Sequence, residues 1–131
     1  MGAPIPLNQV ARLRQRCAKI NEFYKKDRKN YKYCRAIFLH VDSRSKSHQT
    51  DVFFYHSKSK PDSKRLAKTM KKTFESKYDK HQPNRGFTGT VSARNLYVLA
   101  NTSPASVFVE LGNIQNTFDQ RRFVISSNRQ A

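Results

Sequence analysis

The chain has 131 residues, enough for one ordinary domain built around a single core. With 37% hydrophobic residues, 27% charged residues and a mean hydropathy of -0.82, it contains no apolar run near the roughly 18 residues that cross a bilayer. Its 26 Lys and Arg against 9 Asp and Glu leave a net charge of +17. That field attracts polyanions without choosing among nucleic acid, anionic membrane and cell-wall polymer, and a solvated basic surface accounts for it equally well.

The amino-terminal stretch "MGAPIPLNQVARLRQRC" lacks the apolar segment of a signal peptide, so an export signal is expected to lie outside this stretch if one is used. Leu7, Val10, Leu13, Cys17, Ile20 and Tyr24 recur at spacings of three and four. This predicts an amphipathic helix, opened by Pro6 and an Asn8 cap, with Arg12, Arg14, Arg16 and Lys19 on its other face. Residues 25–32, rich in lysine, read as a loop, and "YCRAIFLHV" (33–41) reads as a buried strand. The turn-like "DSRSKSHQ" leads to a second strand, "TDVFFYH".

From Pro61 to Tyr78, Leu66, Met70, Phe74 and Tyr78 recur every four residues beside Ala67, which predicts a second amphipathic helix. "HQPNRGFTGT" is rich in breakers and reads as a loop. "NLYVLAN" and "SVFVELG" read as two further strands separated by "TSPA". Gly112 ends the last of them, and "NTFDQRRFVISS" begins a terminal helix. The strands lack clean alternation, which points to a sheet covered on both faces. The expected class is α/β: a mixed, mostly parallel sheet with helices on both faces, as one domain over residues 1–131. Cys17 and Cys34 read as small buried apolar residues on different elements rather than as a disulfide or metal pair.

Glu110 is one of only three glutamates, and it interrupts the most strand-like run in the chain. In α/β sheets, active groups gather beyond the carboxyl ends of strands. Glu110, near the end of "SVFVELG", and His40, near the end of "AIFLHVD", both fit that placement. A carboxylate paired with an arginine or lysine on the rim fits the same position. His48, His56 and His81 read as exposed histidines among lysines, with a rearranged His40–His56 site as the alternative.

Taken together, "PLNQVARLRQRCAKIN", "AIFLHVD", "DVFFYH", "SKRLAKTM", "NRGFTGTVSARNLYVLANTSPA" and "ASVFVELGNIQNTFDQRRF" resemble, in order, the later part of the zinc-dependent N-acetylmuramoyl-L-alanine amidases. The resemblance implies a zinc-amidase and exopeptidase-like fold whose N-terminal part is missing here. It implies a hydrolase of bacterial peptidoglycan that cuts the amide bond between N-acetylmuramic acid and L-alanine, acting in the periplasm or outside the cell. His40 matches one zinc-binding histidine and Glu110 the catalytic glutamate. Zn2+ is the cofactor implied for the complete domain, and its other two ligands have no match in this chain. The alternative function is a non-catalytic basic module that binds cell-wall polymer or nucleic acid.

Overall fold

The computed structural model describes residues 2–42 and 50–127. The predicted loop "DSRSKSHQ" and His48 therefore lie largely outside the described residues. The described chain runs α1 (Gln9–Asp27), β1 (Arg35–Asp42), β2 (Val52–His56), α2 (Pro61–His81), β3 (Gly89–Ala93), α3 (Tyr97–Ala100), β4 (Ala105–Asn113) and α4 (Thr117–Val124). Among the described residues the strands form one sheet, in the order β1-β4-β2-β3. β1 is parallel to β4 and β2 is parallel to β3, while β2 and β4 are antiparallel. This is the mixed, mostly parallel α/β sheet expected from the sequence.

Two apolar clusters sandwich the sheet. On one face Val52, Phe54, Val107 and Val109 pack with Ala67 of α2, joined by Leu66, Met70 and Phe74. On the other, Cys17 of α1 meets Val98 and Leu99 of α3, with Leu13, Phe38, Tyr55 and Phe108 packed against them. β4 is central, and both of its faces are largely buried, which explains its missing two-residue alternation.

The helix ends carry out local chemistry legible in the sequence. Asn8 Oδ1 accepts from the Ala11 N–H at 3.0 Å, capping α1 as predicted. α1 runs on to Asp27, into the lysine-rich stretch read as a loop. Its apolar stripe docks only from Leu13 onward, and Leu7 is 96% exposed. Asn21 ties α1 to the loop between α3 and β4: its Nδ2 donates to the Asn101 carbonyl at 3.0 Å, and its Oδ1 accepts from the Ser103 N–H at 2.7 Å. Both cysteines are free; Cys34 is only partly buried, while Cys17 is in the core, where burial pushes its thiol pKa up despite the nearby Arg16 charge.

Three expectations are corrected. "NLYVLAN" is not a strand: it contains the four-residue α3, which buries the consecutive Val98 and Leu99 together, as one face of a strand could not. "GTVSA", partly inside the predicted loop, forms β3, which pairs with β2 through its backbone and carries little apolar signal. β1 is only half-buried: Phe38 packs inward, while Ile37 is 42% and Leu39 68% exposed. Their register partners Val107 and Val109 belong to the α2-side core, so Ile37 and Leu39 occupy that same face beyond the cover α2 gives to β4, β2 and β3.

Candidate active site

Parallel pairing of β1 with β4 sets His40 directly opposite Glu110. Strands in a sheet lie about 4.8 Å apart, and residues opposite each other project from the same face. That face is the α1 and α3 side: the His40 ring lies 5.3 Å from the Phe108 ring, and Phe38 and Phe108 stack at 6.3 Å. The two residues singled out from the sequence are therefore neighbours. The mixed sheet adds Phe53 of β2 on the other side of Glu110, as its antiparallel register partner.

Glu110 is only 4% exposed, whereas His40 lies open to solvent. A carboxylate removed from water needs a compensating charge or hydrogen bonds. Arg94 supplies a cation: its Nη1 lies 3.9 Å from Glu110 Oε1, and its guanidinium sits 5.0 Å above the Tyr55 ring. Arg94 itself is half exposed, so the pair joins a buried carboxylate to a rim arginine. Nothing in the sequence singles out Arg94, because it follows β3, the strand that lacks a hydrophobic pattern.

A second polar assembly braces the strand end that carries Glu110. Asp51, just before β2, is buried. It accepts from Arg85 Nη2 at 2.6 Å, from the Thr88 N–H at 2.9 Å and from Thr88 Oγ1 at 3.1 Å. Burial pulls the Asp51 carboxyl up, but the bonds from Arg85 and Thr88 outweigh it and hold its pKa below the usual value. Gly86, at φ 77°, provides the left-handed turn beside Arg85.

Arg122 of α4 lies 3.7 Å from Asp51 and donates to Asp119 at 3.0 Å and to the Tyr78 hydroxyl at 2.7 Å. Asp119 in turn accepts from the Asn113 N–H at 2.8 Å, three residues after Glu110. Asn116 caps α4 by accepting from the Phe118 and Asp119 N–H groups. Loop, helix and strand end thus form one hydrogen-bonded block.

The other described histidines, His56 and His81, do not converge on His40; His81 is exposed as expected, whereas His56 is buried. His56 shares the α2-side face with Phe54, opposite to His40, and its Nδ1 lies 3.0 Å from the Ser57 carbonyl. It also lies toward the amino end of β4, away from the level of Phe53 and Glu110. His81 closes α2. A joint His40–His56 site is ruled out by this geometry. No group of three His, Cys, Asp or Glu side chains among the described residues is placed to hold a metal ion. By themselves, these residues do not fit a three-ligand zinc centre.

Residues 8–131 match the family model described as N-acetylmuramoyl-L-alanine amidase. The chain belongs to this amidase family. No curated protein sequence matches it. Among solved structures, the N-acetylmuramoyl-L-alanine amidase from Clostridium difficile 630 superposes with a TM-score of 0.67 at 18% identity, over 89% of this chain and 56% of that one. The catalytic domain of CwlV, an N-acetylmuramoyl-L-alanine amidase from Bacillus (Paenibacillus) polymyxa var. colistinus, gives 0.65 at 21% identity, over 89% and 56%. The apo form of the Mycobacterium abscessus amidase gives 0.62 at 19%, over 89% and 66%. At these identities the likeness establishes a shared fold, and the chain spans little more than half the length of the first two amidases. Among the described residues the amidase fold is present as a four-stranded portion, with the His40–Glu110 pair near the carboxyl ends of β1 and β4.

Proposed function

We propose that this chain forms part of a peptidoglycan amidase catalytic domain that hydrolyses the bond between N-acetylmuramic acid and L-alanine. The observation that carries the reading is the direct opposition of His40 and Glu110 on neighbouring parallel strands, within a stretch that matches the amidase family. Amide hydrolysis needs a group that takes a proton from the attacking water and returns it to the leaving amine. Glu110 is the carboxylate we assign to that work. Arg94 offsets its charge, the Phe53, Tyr55 and Phe108 rings flank it, and the Asp51–Arg122 block holds the end of β4 in place.

His40 is assigned as one ligand of the zinc expected in the complete domain, where the metal would supply a water activated near neutral pH. The other ligands would come from outside the described residues. The substrate places the action in the periplasm or outside the cell, and the +17 charge suits an anionic wall. The test is digestion of purified peptidoglycan by the chain joined to the portion of the amidase domain that it does not span, read as release of free L-alanine amino termini. Release supports the assignment. Sedimentation with peptidoglycan without any release would favour the non-catalytic wall-binding reading, and salt-dependent binding to generic DNA would favour a nucleic-acid module.

A further inference from the structure

α1 ends at Asp27, and the chain returns to the amino end of β1 through residues 28–34. Backbone bonds fix the start of that return: the Arg28 N–H donates to the Tyr24 carbonyl and the Tyr31 N–H to the Asp27 carbonyl, both at 3.0 Å. The segment borders a cleft of about 720 Å³ that reaches across to the first turns of α2. Tyr24, Arg28, Tyr31, Lys32, Tyr33 and Arg35 line it on this side. Arg28 lies 5.9 Å over the Tyr24 ring, while Lys32 and Arg35 lie 5.6 Å and 5.2 Å over that of Tyr33. Tyr31 and Tyr33 are 64% and 68% exposed. Asp62, the one carboxylate lining the cleft, is paired with Arg65 at 2.5 Å, so the cleft keeps an excess of positive charge. The +17 charge alone attracts any polyanion, but it does not gather tyrosines around a concave row of cations. Tyrosine and arginine are the residue types enriched where proteins bind partners.

We propose that this cleft is a second binding site for peptidoglycan, remote from the bond assigned to His40 and Glu110. Arg35 opens β1 and His40 follows about 17 Å further along the strand, so the two places are separate. Stem-peptide carboxylates would meet the guanidinium groups, whose paired N–H donors match a carboxylate. Sugar hydroxyls would meet the tyrosine hydroxyls and the remaining N–H donors. Single-stranded nucleic acid fits less well, because its bases need free ring faces and cations already lie over those of Tyr24 and Tyr33. A polymer can occupy both places at once, and holding it at the cleft raises the effective concentration of scissile bonds near Glu110.

The inference rests on the amidase reading for the identity of the polymer, and its test reads binding rather than cleavage. The 131-residue chain is sedimented with purified peptidoglycan over a salt series, alone and with a mixed-sequence single-stranded DNA as competitor. Arg28→Gln with Arg35→Gln should weaken binding by about tenfold or more, and so should Tyr31→Ala with Tyr33→Ala. Lys68→Gln with Lys72→Gln removes as much charge from α2 as the arginine pair does from the cleft, and should weaken binding by less than about threefold. All six side chains are exposed, so the chain's own core is untouched. No sedimentation at low salt, equal weakening by the lysine pair, or no effect of the tyrosine pair overturns the proposal. Tighter binding to the DNA that depends on the same tyrosines overturns it in favour of a nucleic-acid site. Binding with the expected dependences, but no cleavage by the chain joined to the portion of the amidase domain that it does not span, sustains this site and counts against the catalytic reading. Cleavage without those dependences does the reverse.

Discussion

Asp51→Asn attacks the block that braces the end of β4, and the structure sets its cost. The carboxylate faces donors only: Arg85 at 2.6 Å, the Thr88 N–H at 2.9 Å and the Thr88 hydroxyl at 3.1 Å, with Arg122 at 3.7 Å. Asparagine keeps the shape but turns an NH2 group toward those donors and leaves two partly buried arginines without their shared anion. Breaking a buried ion pair from one side costs about 3–5 kcal/mol. For a domain of this size that corresponds to a fall in Tm of about 10–18 °C. The same reasoning fixes a pH dependence. Because the folded-state pKa of Asp51 is depressed, its contribution is complete above the unfolded value of about 3.9 and is lost as pH falls through the lower folded value. Wild type should therefore lose stability more steeply than Asp51→Asn in that acidic window. Thermal unfolding by circular dichroism from pH 2 to pH 7 measures both effects. A Tm change below about 3 °C at pH 7, or parallel pH profiles for the two proteins, would refute the assignment of Asp51 as an anchoring anion.

Two further outcomes are expected. Gly112→Ala places a Cβ 2.9 Å from the Phe123 ring and 3.2 Å from the Asp119 carboxyl carbon, so it should destabilise by about 1–3 kcal/mol in denaturant titration, and a neutral result would mean that α4 packs less tightly on β4. The isolated chain should hold zinc weakly, since His40 is the one residue assigned as a ligand; elemental analysis after dialysis checks this, and stoichiometric zinc would redirect attention to His48, His56 or His81.

The parts of the fold legible in the sequence were those with a strong local pattern. The four-residue recurrence from Leu66 to Tyr78 and the Asn8 cap gave α2 and the start of α1 because helix faces and caps are short-range features. β3 escaped notice because "GTVSA" at a sheet edge is held by backbone pairing to β2 and needs no apolar side chains. "NLYVLAN" misled because a short apolar run does not distinguish a buried strand from a buried helical turn. His40 and Glu110 were legible through their order among family-like segments, but their opposition depends on β1–β4 register, which no local pattern encodes. Arg94 is brought to Glu110 only by β3 and the fold around it. The bare face of β1 was likewise hidden, since "AIFLHV" carries apolar residues on both faces whether or not something covers them.

The central claim is that Glu110 carries the proton in amide hydrolysis. Its most direct test is Glu110→Gln in the chain joined to the portion of the amidase domain that it does not span, assayed as L-alanine amino termini released from purified peptidoglycan. Glutamine preserves shape and hydrogen-bonding capacity but cannot take the proton. The account predicts that zinc content is retained while turnover falls by about 10²–10⁴-fold, whereas His40→Ala loses metal and activity together. Near-normal turnover by Glu110→Gln would contradict it and leave Glu110 as a buried carboxylate whose role is the pairing with Arg94.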